Sequence, residues 1–124
     1  MKSNPDDVLK TIPDFEELIA LSELIAGFMF TKLSLEAKIK EGESNVFRIA
    51  SADERYFQGG KPASSTYIEN AWKFTGLDGE LVPLRNELAS VIAKLEGSRM
   101  KMDVFKNMIE IWRTLCSNQR SSSL

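Results

Sequence analysis

The chain has no histidine, one cysteine and four prolines, and no proline falls between Pro13 and Pro62. Each scarcity excludes something. Without imidazole there is no common general base, no usual metal ligand and no middle member of a Ser-His or Cys-His relay. One thiol cannot replace the missing imidazoles around zinc, and it cannot close a disulfide within the chain. Cys116 therefore fits a reducing compartment. No catalytic, cofactor or metal residue is assigned, and the chain is not expected to be an enzyme. The proline-free stretch allows one long uninterrupted helix. No leader peptide is expected either, because Met1–Ile12 is polar, with Asp6 and Asp7 where a basic start and an apolar run would be required. The apolar run Leu18–Phe30 has Glu16, Glu17 and Glu23 in or beside it, and it is shorter than the ~20 residues that cross a bilayer. A cytoplasmic location is the expectation.

What the chain has in abundance is heptad spacing. Leu81, Leu84, Leu88, Val91, Leu95, Ser98, Met102, Phe105, Ile109, Trp112 and Cys116 step by three and four residues, with Ser98 the clearly polar member. Such a ladder keeps one seam of a helix turned toward a partner helix. A second ladder occupies positions 18, 21, 25, 28, 32, 35, 39, 42, 46, 49, 53 and 56. Nine of these twelve are apolar or aromatic, and Lys32, Gly42 and Asp53 interrupt it. Gly27 and Gly42 each cost about 1 kcal/mol against alanine, so either is a place where the helix can kink.

Local signals divide the chain. Asn4-Pro5-Asp6-Asp7 starts a short helix over 5–11, which Pro13 interrupts. Asp14, followed by Glu16 and Glu17, caps a long helix over 14–57. Gln58-Gly59-Gly60-Lys61-Pro62 stops it. A tip over 58–78 carries a short helix, opened by a capping box at Thr66 and Glu69 and closed by Gly76. Asp78 caps a second long helix over 79–117, with Pro83 tolerated near its first turn, and 118–124 is a frayed tail. The expected fold is all-α: one domain over 1–117, built as an elongated antiparallel hairpin of two long helices with a short helix at the tip.

One seam does not use all the apolar surface. Ile19, Leu24, Met29, Phe30, Leu33 and Phe47 lie outside the first ladder; Val82, Ile92, Met100, Val104, Met108 and Ile111 lie outside the second. At roughly 1.5–3 kcal/mol per fully buried large side chain, a second wet face is costly, and a homo-oligomer with coiled-coil-like contacts, or a helical partner, is expected. Net charge is −2 but uneven: residues 1–31 carry two basic and six acidic groups, and residues 94–120 carry six basic and three acidic. That asymmetry can steer partners, or it can be an ordinary solvated face.

Gly59-Gly60-Lys61 lacks the earlier glycine of a phosphate loop, and Pro62 stands where that loop needs Ser or Thr. Carboxylate pairs such as Glu16/Glu17, Glu41/Glu43 and Asp53/Glu54 read as solvated charges. The tip is richer. Arg55, Tyr56, Phe57, Lys61, Tyr67, Trp72, Lys73 and Phe74 mix cations with rings, as single-stranded nucleic-acid sites do. The other reading of the same residues is that the rings simply pack the short helix onto the tip. Lys94, Arg99, Lys101, Lys106 and Arg113 form a second basic surface, interleaved with Glu96, Asp103 and Glu110.

The order of these parts resembles the UvsY-type recombination mediators of T-even-like phages. The likeness lies in a long helix ending at Tyr56-Phe57-Gln58-Gly59, a tip with a short helix over Thr66–Thr75, and a final helix running from Gly97-Ser98-Arg99-Met100-Lys101 to Trp112-Arg113. It covers roughly residues 20–116. The resemblance implies a ring-forming, non-enzymatic, helical accessory protein that binds single-stranded DNA and assists a RecA-like recombinase. The family carries basic residues just before the aromatic pair, where this chain has Ser51, Ala52, Asp53 and Glu54. Candidate phosphate contacts are Arg48, Arg55, Lys61, Lys73, Arg99, Lys101 and Lys106. The alternative from another class is a structural or adaptor coiled coil that binds only protein.

Overall fold

The computed structural model describes residues 14–122, so the helix expected over 5–11 lies outside the described residues. The fold is all-α. Two long helices, α1 (Phe15–Ala52) and α3 (Leu81–Ser122), pack antiparallel against each other, and a short α2 (Ser65–Ile68) lies between them in the chain. Asp14 caps α1 by accepting the backbone N–H groups of Glu16 and Glu17 at 3.1 and 3.2 Å.

Every position of both ladders is buried or half-buried, including the three polar or glycine interruptions of the first. Lys32 is half-buried and reaches Glu36 at 3.8 Å. Gly42 is a place of close approach: a Cβ there would overlap the Leu81 side chain. Neither Gly42 nor Gly27 breaks α1. Gly42 is the price of letting α3 start hard against α1.

The chain forms two compact units. One spans residues 29–93 and the other joins residues up to Phe28 with those from Lys94 onward. In the first, Val46, Ala50, Ile68 and Leu81 make a buried cluster, against which Phe47, Tyr56, Ala63, Trp72, Leu77 and Leu84 pack. Phe47 is thus not spare surface, and Ile92 is half-buried too. In the second unit Leu21, Leu95 and Ser98 are buried. The Ser98 hydroxyl donates to the Lys94 carbonyl at 2.9 Å, so a polar residue sits in an apolar seam without a missing partner.

Several boundaries differ from expectation. The first long helix ends at Ala52 rather than 57. Asp53 then adopts an extended conformation and caps a 3₁₀ turn over Glu54–Tyr56. Gly59 and Gly60, with φ of 60° and 79°, form a tight turn that pairs Gln58 and Lys61 through N–H···O contacts of 2.8 and 3.2 Å. They make a turn of their own and do not terminate a helix. Ser64, not Thr66, caps the short helix, accepting the Tyr67 N–H at 3.1 Å. That helix continues as a π turn over Glu69–Lys73. At the start of α3 it is Glu80, not Asp78, whose carboxylate accepts backbone N–H groups, from Leu77 at 3.2 Å and Asp78 at 2.8 Å. The helix runs to Ser122, so residues 118–122 belong to it rather than to a tail.

Of the described helices, α1 is long and apolar enough to cross a membrane by length and composition, although little of its apolar window is buried. The apolar run to Phe30 is by itself shorter than a bilayer span. The helix beyond it adds Leu33 and Leu35 with a single charge, Lys32, between.

Candidate nucleic-acid and protein interface

The expected tip cluster is assembled, but mostly on itself. The Trp72 ring sits between Tyr56 and Tyr67, each edge-on with centroids 5.4 Å away. Tyr56 and Trp72 are half-buried against the apolar cluster. Edge-to-face stacking of this kind stabilises packing by about 0.5–1.5 kcal/mol beyond area, and it leaves Tyr67 as the exposed ring of the three.

Two of the candidate cations here, Arg55 and Lys73, are held by carboxylates. Arg55 makes a fork with Asp53, Nη2 to Oδ2 at 2.7 Å and Nε to both oxygens at 3.1–3.2 Å. The side-chain hydrogen bond from Arg55, then its backbone N–H, holds the Asp53 carboxyl below the ordinary carboxylate value. The same bond raises the Arg55 guanidinium. Lys73 lies 3.9 Å from Glu43 and 3.7 Å from Glu69. Arg48 is exposed, donates to Asn45 at 3.4 Å, and borders a shallow depression of about 580 Å³ that also contains Asp53 and Glu54. Those carboxylates disfavour a phosphate there. Lys61 is exposed at the tight turn, with no ion pair among the described residues.

Arg85 was not among the candidates, yet it ties the tip together. It reaches Glu43 on α1 at 3.0 Å and the carbonyls of Phe74 and Lys73 at 2.6 and 3.4 Å, and it covers the Phe74 ring at 4.3 Å. The sequence signal was available: Arg85 and Glu43 flank the two ladders at corresponding positions. It was hidden by a sequence separation of 42 residues. Glu80 belongs to the same region. Burial pushes its carboxyl up, but the N–H groups of Asp78, Glu80 itself and Leu77 outweigh that and hold it below its ordinary value.

The candidates on α3 are arranged differently. Arg99, Lys101 and Lys106 are exposed, and none has an ion pair among the described residues. Arg113 pairs with Glu110 at 3.3 Å. Read as heptads with Leu95, Met102 and Ile109 at a, Arg99, Lys106 and Arg113 fall in column e and Glu96, Asp103 and Glu110 in column b. The tip and α3 candidates lie in different units, so they do not make one site within either.

The exposed apolar side chains complete the inventory. Phe15, Ile19, Leu24, Met29, Phe30 and Leu33 stand out on α1, with Phe30 75% exposed. On α3 the same holds for Val82, Met100, Val104, Met108 and Ile111, with Met100 71% exposed. Trp112 Nε1 is buried without a hydrogen-bond partner among the described residues. Among those residues no group of three or more acidic, thiol or imidazole side chains is placed to hold a metal ion. No protein-family model, curated protein or solved structure matches the chain.

Proposed function

We infer that this is a cytoplasmic, non-enzymatic, self-associating helical accessory protein of the recombination-mediator type. It binds single-stranded DNA and hands it to a RecA-like recombinase. The observation that carries the self-association is the set of large apolar side chains left in solvent on both long helices. Soluble monomers rarely leave contiguous surface of this kind open. Nucleic-acid binding is supported by Arg99, Lys101 and Lys106, whose charges are not neutralised among the described residues, and by the resemblance in the order of the parts. Arg55 and Lys73 contribute less, being committed to Asp53, Glu43 and Glu69. Glu23 and Lys32 within the apolar stretch of α1 argue for protein rather than lipid as its cover.

Anisotropy of labelled oligo-dT at low salt tests the DNA half. Binding that weakens steeply with salt supports it; no binding at tens of micromolar removes it. A second reading has its own observation. Tyr56 and Tyr67 stack on Trp72, and the cations Arg55 and Lys73 meet carboxylates, as expected of a structural tip. On that reading the protein is an adaptor coiled coil that binds only protein. A defined oligomer indifferent to oligonucleotide favours it.

A further inference from the structure

The outer surface of α3 carries a second, shorter seam. Gly97, Met100, Val104, Asn107, Ile111 and Thr114 step by three and four residues along columns c and f, away from the buried a and d ladder. Met100, Val104 and Ile111 on it are more than half exposed. One flank of this seam is column b, with Glu96, Asp103 and Glu110; the other is column g, with Lys94, Lys101 and Met108. The seam is therefore lined by acids on one side and by lysines, then apolar side chains, on the other.

That asymmetry selects both an occupant and a direction. When two such helices pack in parallel about a twofold axis, the acidic flank of each meets the opposite flank of the other. When they pack antiparallel, acids meet acids along the whole row. We propose that a second copy of the chain docks in parallel on the c/f seam of α3, with Glu96 of each copy opposite Lys101 of the other. Asp103 and Glu110 then lie beside the Met108 side of the second copy and escape like-charge contact. Gly97 has open space where a side chain would be, which permits close approach at that end. Arg99 and Lys106 sit on column e, across the acidic row, and stay available to a ligand. The inference deepens the self-association reading and rests on it.

The test is disulfide trapping in the full chain on a Cys116→Ser background, with Met100→Cys and Ile111→Cys as single variants. Both positions are exposed, so circular dichroism is expected to match the parent. Parallel docking predicts that each variant cross-links to itself on mild oxidation. It also predicts that Glu96→Lys weakens association roughly tenfold while Glu96→Lys with Lys101→Glu restores it. Cross-links that form only when the two cysteine variants are mixed would show antiparallel docking and overturn the proposal. An oligomeric mass with no cross-link would place the contact elsewhere and overturn it, leaving self-association intact. A monomeric mass at all concentrations would remove both.

Discussion

The unit of residues 29–93 and the unit formed by the beginning of α1 with the later part of α3 both leave large apolar side chains exposed, Phe30 in one and Met100 in the other, and differ in how their cations are held. In the first, Arg55, Lys73 and Arg85 meet carboxylates, Tyr56 and Tyr67 stack on Trp72, and Arg85 joins α1 to the tip. In the second, the ladder is buried but Arg99, Lys101 and Lys106 have no described ion-pair partner and Met100, Val104 and Ile111 face solvent. A tip rich in cations and aromatics looks like a binding site in one dimension. In three, Trp72 is stacked by Tyr56 and Tyr67, and Arg55 and Lys73 are held by carboxylates. The lesson is that a charge is informative about function only after its local partners have been subtracted.

The comparison can be broken most forcefully at the shared core chemistry. Leu81→Ala and Leu95→Ala, one in each unit and both almost fully buried, are expected to cost about 2–5 kcal/mol each in urea unfolding. If only one of them destabilises, the two units do not rest on comparable seams. Arg85→Ala follows, at about 1.5–3 kcal/mol, because it removes a charge-assisted contact to Glu43 and leaves two carbonyls without their donor. By contrast, Arg99→Ala is expected to leave stability within about 0.5 kcal/mol and to act only on oligonucleotide affinity.

How much was legible beforehand follows from which forces were local. The seam of each long helix was readable to the residue, because burial at a three-four spacing needs no knowledge of the partner. Even Lys32 and Gly42, which broke the apolar pattern, turned out to be on the seam. Their chemistry was misjudged because its cause is distant: Gly42 answers to Leu81. Caps follow the nearest suitable residue type at Asp14, while at the short helix Ser64 displaces Thr66, and before α3 the Glu80 carboxylate binds the turn N–H groups of Leu77 and Asp78, by backbone geometry the sequence does not carry. At the candidate site, exposure of Arg99, Lys101 and Lys106 followed from their place off the ladder. The pairing of Lys73 with Glu43 did not, since it depends on how the tip folds back.

Two smaller effects sharpen the contrast. Gly27→Ala, where a Cβ meets open space, is expected to stabilise by about 0.5–1 kcal/mol through helix propensity; Gly42→Ala is expected to destabilise despite the same propensity gain, because Leu81 must shift. Thermal melts of the pair give the sign of each. Glu80 sets an acid response. Its folded carboxyl lies below the ordinary value of 4.5, so its contribution is present above that value and fades as pH falls through the lower folded one. Glu80→Gln is expected to flatten the acid side of a stability profile below about pH 4.5 and to leave the neutral side's slope unchanged.

The central proposal is that the apolar side chains exposed on α1 and α3 are covered by further copies of the chain. Light scattering on the purified protein, with and without oligo-dT, reads that directly. A defined multiple of the chain mass that survives dilution and gains mass with oligonucleotide is the predicted result. A single-chain mass at every concentration, unchanged by DNA, would contradict it.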